Sequence, residues 1–352
     1  MQPIQAPNHA NRFAFLDVTR AVAALSVMLQ HGLEASGLEG LEPGAVATTW
    51  LNLGETGVAI FFLVSGFIIP ASMRGTPTFL RFWLRRIFRI YPLYLTIFVA
   101  ALLVTKYLFD KPLPPLGITI FSHLLIVQPW VGLPNFVGGA WTLLIEMIWY
   151  AAFSIAFFSG IGTGKRLIVW FLIAYAIVIA VAAIVFPQFP FGRFSIFALC
   201  FYGYAYLLRF EEKIDARTFM AISVTFLLLT LVSLFVGFAL YPSGAHGAPT
   251  FTCVVISWGL ALALFPIAIR LRNVDFCNSP VLRYLGEISY SLYLVHSLVM
   301  GIMMYLGVRG FVFLPILLVV TLTVSTLTYR FIERPGIALA RRLTQKTSLA
   351  QA

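Results

Sequence analysis

Residues 167–186 read LIVWFLIAYAIVIAVAAIVF, twenty consecutive residues without a charged side chain. A helix of that length is about 30 Å long, which matches the hydrocarbon core of a bilayer. The whole chain shares this character, because 60% of its 352 residues are hydrophobic and only 11% are charged. A soluble domain has about a quarter of its residues charged. We therefore predict that this chain folds in lipid.

Ten apolar runs are long enough to cross the bilayer. They lie at about 14–33, 53–72, 87–107, 139–160, 167–186, 192–209, 218–240, 250–269, 284–306 and 310–329. A further apolar stretch, 116–134, is flanked and interrupted by prolines, so we expect a re-entrant or interfacial segment there. The prediction is an all-α, polytopic membrane helix bundle of about ten transmembrane helices plus this short segment. The chain 1–352 is expected to be one membrane-embedded domain, with its core at about 12–340 and no appended soluble domain.

The distribution of lysine and arginine predicts the orientation of the bundle. With ten spans and a cytoplasmic N-terminus, 20 of the 24 basic residues fall on the cytoplasmic side. The four on the outer side are Lys106, Lys111, Arg193 and Arg309. Counting 116–134 as a full span would reverse the orientation of everything after it and remove this bias. Both termini are therefore predicted to be cytoplasmic.

Composition also argues against several other classes of protein. The net charge of +11 is explained by retention of basic residues on the cytoplasmic side, so no nucleic acid partner is expected. The three cysteines, Cys200, Cys253 and Cys277, are too widely spaced for a zinc pattern or a disulfide framework, and no metal is expected. The first apolar run carries Asp17 and Arg20, so it is interpreted as a membrane helix and not as a cleavable signal peptide.

Ionisable residues inside predicted membrane helices are costly and often functional. Arg20 and His31 are eleven residues apart, which places them on one face of the first helix, separated by about 16 Å along its axis. Asp17 and Glu34 extend this face, and Glu34 is positioned to orient the imidazole. A snorkelling arginine or a hydrogen-bonded histidine would each be ordinary alone. Their shared face favours a functional pathway.

A second cluster of charge begins the third span. Arg81, Arg85 and Arg89 follow an i, i+4, i+8 pattern, and Arg86 adjoins them. The stripe is either a plain positive-inside anchor or a grip for the phosphates of a donor such as coenzyme A. The sequence leaves both interpretations open.

Glu146 lies about one-third of the way into its span from the predicted outer end. It is expected to stay protonated, to pair with His31, or to bind a sugar hydroxyl. Trp141 and Tyr150 flank it, and they suit either an outer aromatic belt or stacking on a sugar ring. These alternatives remain open at the level of sequence.

His296 lies near the middle of the predicted ninth span. Ser289 and Tyr293 share its helical face. The three suit either polar helix–helix contacts or substrate binding. Glu333, which stands between two arginines of the closing segment, is expected to form an ion-pair cluster at the cytoplasmic surface.

Six segments together resemble the membrane-bound acyltransferase family 3, whose bacterial members O-acylate polysaccharides, lipopolysaccharide, Nod factors and macrolide sugars. They are Arg20-x10-His31, GETGVAIFFLVSGF at 54–67, RRIFRIYPLY at 85–94, WTLLIEMIWY at 141–150, LGEISYSLYLVH at 285–296 and Glu333-Arg334-Pro335. Each alone is a weak signal, but the segments occur in the family's order over nearly the whole chain.

The resemblance implies an enzyme that transfers groups other than amino-acyl groups. It implies a bacterial inner-membrane location, acyl-CoA as donor (acetyl-CoA is expected), and a hydroxyl of an extracytoplasmic saccharide or lipid-linked sugar as acceptor. The family's defining arginine and histidine correspond to Arg20 and His31. Its basic motif corresponds to Arg85, Arg86 and Arg89, which are expected to hold the CoA phosphates.

The resemblance also implies a mechanism in which His31 acts as general base. Direct transfer to the acceptor and transfer through an acyl-imidazole both remain open. Glu34 or Glu146 is expected to orient the base, and Ser65 or the backbone of Gly66 to stabilise the oxyanion. The predicted catalytic residues are His31, Arg20 and Glu146, and the predicted substrate contacts are Glu34, Trp141, Tyr150 and His296.

Two other classes of function fit the composition. A transporter or flippase of lipid-linked sugars would also place charges in the membrane, but it would show paired interrupted helices in two matching halves. A sensory or scaffold protein would tolerate neutral replacement of those charges. We therefore rank acyl transfer first.

Overall fold

The structure, a computed structural model, describes residues 13–37, 49–73, 78–128, 130–160, 163–186, 189–240, 249–274 and 279–349. Within these ranges every regular element is a helix. Arg12 and Arg74, two of the 20 basic residues predicted to be cytoplasmic, lie outside the described residues, as do Cys277 and Pro129, one of the prolines in the stretch 116–134. The all-α prediction is confirmed.

Thirteen α-helices follow one another along the described chain. They are α1 (Ala14–Ser36), α2 (Leu53–Met73), α3 (Phe79–Leu103), α4 (Leu116–Leu125), α5 (Ala140–Phe158), α6 (Lys165–Val185), α7 (Phe191–Phe210), α8 (Ala216–Leu240), α9 (Phe251–Arg270), α10 (Pro280–Glu287), α11 (Ser289–Tyr305), α12 (Phe313–Thr328) and α13 (Arg334–Leu349). Two π-turns, Val104–Leu108 and Tyr329–Glu333, extend α3 and join α12 to α13.

The described residues contain eight helical spans that are long and apolar enough to cross a membrane. The pair α10 and α11, bent by 65° at Ile288, makes a ninth if it is counted as one span. Helix α1 has 23 residues and is about 34 Å long, but its charged residues make it too polar for the same criterion. With α1 the total reaches the predicted ten. The protein is a polytopic membrane helix bundle.

Helix α4 explains why the stretch 116–134 does not span. It has 10 residues and is therefore about 15 Å long, half the thickness of the hydrocarbon core. Its exposed face is apolar, with Leu116, Phe121 and Leu125 among the exposed side chains. The remainder of the described stretch is turns and irregular backbone. The prediction of a short segment that does not cross is consistent with this geometry.

Two predicted boundaries differ from the structure, and both lie beside arginines. Helix α3 begins at Phe79 and not near residue 87, and the Thr78 side chain caps it by accepting a hydrogen bond from the Arg81 amide at 3.2 Å. The last helix does not end near residue 329 but continues into α13. Arginine is a good helix former that apolar periodicity overlooks, so the helices continue into the basic segments.

The centre of the bundle is the packing of α2 against α7. Most of the apolar part of α2 and of α7 is buried, 78% and 72% respectively, whereas only 28% of that of α6 is buried. Glycines bring the two backbones together. A Cβ on Gly66 would lie 2.0 Å from the Cys200 carbonyl oxygen, and one on Gly203 would lie 2.2 Å from the Leu63 carbonyl oxygen. Small residues of this kind let membrane helices approach closely.

Helix α1 is enclosed by protein, which allows it to carry charge. It packs against α2, α9, α10, α11 and α12. At Gly286, in α10, a Cβ would lie 2.1 Å from the Asp17 carbonyl oxygen. Because α1 faces neighbouring helices over most of its surface, its ionisable residues contact protein groups more than lipid.

Replacing either contact glycine by alanine is expected to destabilise the bundle. Gly66→Ala and Gly203→Ala each force a methyl group into a backbone carbonyl, and overpacking of this kind costs about 1–3 kcal/mol. The measurement is the thermal unfolding midpoint of the purified protein in detergent. Both variants should unfold at lower temperature than the wild type.

Gly259→Ala is the matched control, because nothing lies within 4 Å of the Cβ that it adds. Alanine is the better helix former by about 1 kcal/mol, so this variant should be at least as stable as the wild type. Equal stability of all three variants would contradict the close packing of α2 on α7.

Candidate active site

A cavity of about 440 Å³ lies inside the bundle between α1, α2, α3, α5 and α11. Five of the predicted site residues line it, namely Arg20, Arg86, Arg89, Glu146 and Tyr150. Further polar groups come from Asp17, Ser65, Ser72, Thr142, Tyr290 and Tyr293, and the other lining residues are apolar. A volume of this size is in the range of small-molecule and cofactor sites.

A second cavity of about 320 Å³ adjoins the first and is strongly basic. Its walls are α3, with Arg85, Arg86 and Arg89, and α13, with Ile337, Ala340, Arg341 and Gln345. Arg86 and Arg89 line both cavities. We call the second cavity the basic vestibule, and the side of the bundle on which it lies the basic end.

Helix α13 is held against α3 closely enough to form the wall of the vestibule. A Cβ on Gly336 would lie 2.6 Å from the Phe88 carbonyl oxygen, and Arg81 Nη2 donates to the Thr344 carbonyl oxygen at 2.6 Å. This packing brings Arg341 to the stripe as an additional guanidinium, which the sequence did not reveal because it lies more than 250 residues further along the chain. The buried Nε atoms of Arg85 and Arg86 have no hydrogen-bond partner in the described structure.

Glu146 organises the polar wall of the first cavity. Its Oε1 accepts hydrogen bonds from Ser65 Oγ at 2.9 Å and from the Tyr150 hydroxyl. The Arg86 guanidinium lies 5.4 Å from the centre of the Tyr150 ring, within reach of a cation–π contact,. The expectation that Glu146 orients His31 is wrong, because its partners are Ser65 and Tyr150. Ser65 lies on α2 and Tyr150 one turn after Glu146 on α5. Their hydrogen bonds hold the Glu146 carboxylate toward the cavity.

Opposite charges surround two half-buried arginines, Arg20 of α1 and Arg89 of α3. The charges of Asp17, Glu146 and Glu333 all act favourably on Arg20, and Arg89 acts against it. Arg89 interacts with the same three carboxyl groups. A guanidinium in a low-dielectric interior needs such counter-charges. The bundle therefore brings together acidic residues from α1, from α5 and from the π-turn Tyr329–Glu333.

Glu333 is the member of this group that sequence reasoning misplaced. Its side chain is 1% exposed, and its Oε2 accepts a hydrogen bond from Ser291 Oγ at 3.0 Å. Its sequence neighbours Arg330 and Arg334 are exposed, so the predicted surface ion-pair cluster is wrong. The cause is local, because Glu333 lies in a π-turn, and an extra residue per turn rotates the following side chains by roughly 100°.

His31 pairs with His296. The His31 Nδ1 and His296 Nε2 atoms are 3.0 Å apart, and the two rings have their centres 5.3 Å apart and nearly parallel planes, 17° apart. His31 is half-buried, and His296 is 2% exposed. The sequence placed both residues in membrane helices, but only the packing of α1 on α11 shows that they meet.

Glu34 does not orient His31 in this structure. It is exposed, and its Oε1 accepts a hydrogen bond from Gln30 Nε2 at 2.8 Å. Gln30 in turn accepts a hydrogen bond from the Leu53 amide at 3.0 Å, which ties α1 to the start of α2. Gln30, four residues before Glu34 on the same helix, therefore makes the contact that the sequence assigned to His31,.

Tyr293 stands between the cavity and the two histidines. Its ring lines the cavity, its hydroxyl is 2.9 Å from Thr142 Oγ1, and its ring centre is 6.0 Å from that of His296. Phe61 packs edge-on against the same ring at 5.5 Å. His31 is not among the residues that line the cavity. A side-chain path therefore runs from the cavity through Tyr293 and His296 to His31.

The other predicted contacts have mixed outcomes. Ser65 lines the cavity but donates its hydroxyl proton to Glu146. Gly66 lies inside α2 with its Cα against Cys200. Its amide is committed to the helix, so it is not available as an oxyanion donor. Trp141 is half-buried and lies outside the lining of the cavity.

Removing the charge of Glu333 is expected to destabilise the protein. Glu333→Gln keeps the shape of the side chain but leaves Arg89 and Arg20 with one counter-charge fewer, and an uncompensated charge in a low-dielectric interior is costly. The measurement is the unfolding midpoint in detergent. Glu212→Gln removes an exposed carboxylate and serves as the control. If both variants unfold at the wild-type temperature, the buried charge group does not contribute to stability.

Comparison with known proteins agrees with the architecture. The family model for the acyltransferase domain of acyltransferase family 3 matches residues 13–330. Acyltransferase MdmB of Streptomyces mycarofaciens is 28% identical over 318 residues, which cover 83% of this chain and 80% of that protein. The O-acetyl transferase of Shigella phage Sf6 is 23% identical over 79% of this chain and 82% of its own length.

A further relative covers nearly the whole chain. Nodulation protein 10 of Rhizobium leguminosarum bv. viciae is 27% identical over 96% of this chain and 97% of its own length. No solved structure matches the chain. With the family match extending over most of its length and polar groups converging inside its helix bundle, the chain belongs to acyltransferase family 3 and is a membrane acyltransferase.

Proposed function

We propose that the protein moves an acyl group, of which acetyl is the smallest, from cytoplasmic acyl-CoA to a hydroxyl of an extracytoplasmic saccharide or glycolipid. The observation that carries the proposal is the pair of adjoining cavities, of which one is ringed by arginines and the other leads toward a histidine pair. A relative named as an O-acetyl transferase supports oxygen as the acceptor atom.

The basic vestibule suits the phosphates of coenzyme A. That donor carries a diphosphate and a ribose phosphate, and guanidinium groups bind phosphate oxygens through charge-assisted hydrogen bonds. Arg85, Arg86, Arg89 and Arg341 converge on the vestibule. The unpartnered buried Nε atoms of Arg85 and Arg86 are donors that an anionic ligand would satisfy,.

The larger cavity suits the pantetheine arm and its acyl group. It continues from Arg86 and Arg89, which line both cavities, and its wall mixes hydroxyl and charged groups with apolar side chains. An amide-containing chain needs both kinds of contact. Arg20 and Glu146 line this cavity. We therefore place both beside the acyl thioester of the bound donor, and this is where their predicted catalytic roles would be exercised.

The reacting hydroxyl is proposed to lose its proton to His31. The hydroxyl oxygen forms a bond to the thioester carbon, the carbon–sulfur bond breaks, and the proton leaves with the CoA thiol. His31 is half-buried while His296 is enclosed, so an acceptor approaching from outside would meet His31 first. Tyr293 separates the cavity from the histidines, so the thioester reaches His31 only when the Tyr293 ring turns aside.

The proposed orientation places the basic end in the cytoplasm. The count of 20 basic residues among 24 on one side supports cytoplasmic termini in a bacterial inner membrane. The basic vestibule then opens toward the compartment that contains acyl-CoA, and His31, about 16 Å from Arg20 along α1, lies toward the outside. This arrangement supplies donor and acceptor from opposite faces.

The vestibule predicts a selective defect in Arg341→Gln. Losing one guanidinium from a phosphate site should raise the KM for acetyl-CoA roughly tenfold, since a charge-assisted hydrogen bond contributes about 1.5–3 kcal/mol. The KM for acetyl-pantetheine, which lacks phosphates, should stay near the wild-type value. The measurement is thiol release by purified protein in lipid nanodiscs.

Arg342→Gln is the matched control, because Arg342 is the exposed neighbour of Arg341 on α13 and does not line the vestibule. It should leave both KM values unchanged. An equal effect of Arg341→Gln on both donors would show that the vestibule does not recognise the phosphates.

The proposed base predicts loss of transfer in His31→Ala. Removing a positioned base typically lowers the rate about 10²–10⁴-fold. The measurement is mass spectrometry of cell-surface glycans from a deletion strain complemented with wild type, His31→Ala or Arg20→Ala. The wild type should restore an acyl mass that both variants fail to restore.

Thiol release from acetyl-CoA by the purified proteins completes that test and separates it from transport. A flippase of lipid-linked sugars would move substrate without releasing CoA. Normal thiol release and normal glycan acylation in His31→Ala would remove the proposed base.

A further inference from the structure

The geometry points to His296 as the residue that positions His31, by fixing which nitrogen of each imidazole carries the proton. This inference rests on the proposed function, in which His31 is the base. It goes beyond that proposal because it assigns the accepting atom, His31 Nε2, and replaces the carboxylate partner that the sequence suggested with a second, neutral imidazole.

The assignment starts at a backbone carbonyl. His296 Nδ1 lies 3.2 Å from the Leu292 carbonyl oxygen, one helical turn earlier. A carbonyl oxygen only accepts hydrogen bonds. His296 Nδ1 must therefore carry a proton and donate it to this contact. In a neutral imidazole with a proton on Nδ1, the other nitrogen, Nε2, is an acceptor.

The second step passes the constraint to His31. His296 Nε2 is 3.0 Å from His31 Nδ1, and one of these two atoms must donate. Because Nε2 of a neutral His296 has no proton, His31 Nδ1 donates. His31 Nε2 then holds a lone pair, which is the state required of a general base. The wrong tautomer would present an N–H to the acceptor hydroxyl and could not take its proton.

A neutral His296 is required by its surroundings. The side chain is 2% exposed, and its described contacts are the Leu292 carbonyl oxygen, the Tyr293 ring and His31. None of these described contacts is a carboxylate. A buried imidazolium without a counter-charge is costly. The positive charge that appears during the reaction therefore rests on His31, the more exposed ring.

The other ionisable groups around the pair do not provide an alternative partner. Glu34, on α1 itself, is the carboxylate whose charge acts on His31, and it is hydrogen-bonded to Gln30. Glu55, on α2, accepts a hydrogen bond from Trp258 at 3.0 Å. Helix α12 has no ionisable side chain. The remaining ionisable residues of the described helices packed on α1 are Cys253, Arg270, Arg283, Tyr284, Glu287, Tyr290, Tyr293 and Tyr305.

The pairing also defines what each step does to the protons. When the acceptor O–H bond breaks, an Nε2–H bond forms on His31, and its Nδ1–H bond to His296 remains. When the CoA sulfur leaves, it takes the proton from His31 Nε2. His296 donates to Leu292 throughout and neither gains nor loses a proton. It is thus a positioning residue and does not touch the reacting atoms.

The first experiment compares His296→Leu with His296→Gln. Leucine removes the acceptor for His31 Nδ1, so kcat for acetyl-CoA turnover should fall about 10- to 100-fold, the effect of losing one buried hydrogen bond. Glutamine carries a neutral oxygen acceptor at a similar reach and should restore most of that loss. Equal loss in both variants, with both folded by their unfolding midpoints, would overturn the proposal.

The second experiment is the pH profile of kcat/KM for His296→Glu. A carboxylate beside His31 stabilises its imidazolium, which raises the pKa of His31. Since the base must be unprotonated, the midpoint of the rising limb should move to higher pH by one unit or more. His123→Gln removes another buried histidine, one that is stacked on Phe98, and should leave the midpoint in place. A midpoint that moves in Glu34→Gln and not in His296→Glu would give the positioning role to Glu34 and overturn the inference.

A measurement on the wild type avoids dependence on any variant's folding. Nitrogen-15 histidine resonances should show a protonated Nδ1 on both residues and a scalar coupling across the His31–His296 hydrogen bond. An unprotonated His31 Nδ1 would overturn the inference. Absence of acetyl-CoA turnover in the wild type would instead overturn the proposed function, so the two failures are distinguishable.

Discussion

The cost of placing guanidinium groups inside an apolar helix bundle is the constraint on which the rest of the structure depends. Arg20 and Arg89 share the interior with Asp17, Glu146 and Glu333. In a low-dielectric medium, removing any one partner leaves an uncompensated charge. The carboxyl groups come from α1, α5 and the π-turn before α13. Distant parts of the chain are therefore held around one charged centre.

The same constraint explains the packing of the helices. Helix α1 carries its charges because protein surrounds it, and Gly286 lets α10 approach the backbone at Asp17. Gly66 and Gly203 allow an equally close approach of α2 and α7. These contacts leave a cavity of about 440 Å³ beside the arginines, so the charged centre and the binding volume arise from one arrangement.

The charged centre and the histidine pair have different proposed roles, the first in donor binding and the second in proton transfer. In the proposed mechanism the basic end offers guanidinium groups to an anionic donor, whereas His31, with a neutral partner, serves as an uncharged base. A carboxylate beside His31 would favour its protonated form, and the neighbouring imidazole avoids this. Tyr293, held by Thr142, lies between the two regions.

Sequence alone determined the membrane setting, the helical class and the family, because spanning length, basic-residue bias and the order of motifs are local properties of the chain. It also located Arg20, His31, Glu146 and the arginine stripe, since a charge within an apolar run stands out. The sequence did not identify the hydrogen-bond partners of these residues. Glu146 bonds Ser65 and Tyr150, and His31 bonds His296. Contacts between helices depend on rotation and crossing angle, and helical periodicity does not specify either. The packing that brings Arg341 to the vestibule was decided by the tertiary structure, because it joins residues that are more than 250 positions apart in the chain. The π-turn that directs Glu333 inward was decided there as well, because buried charge must find its counter-charge wherever the chain can supply it.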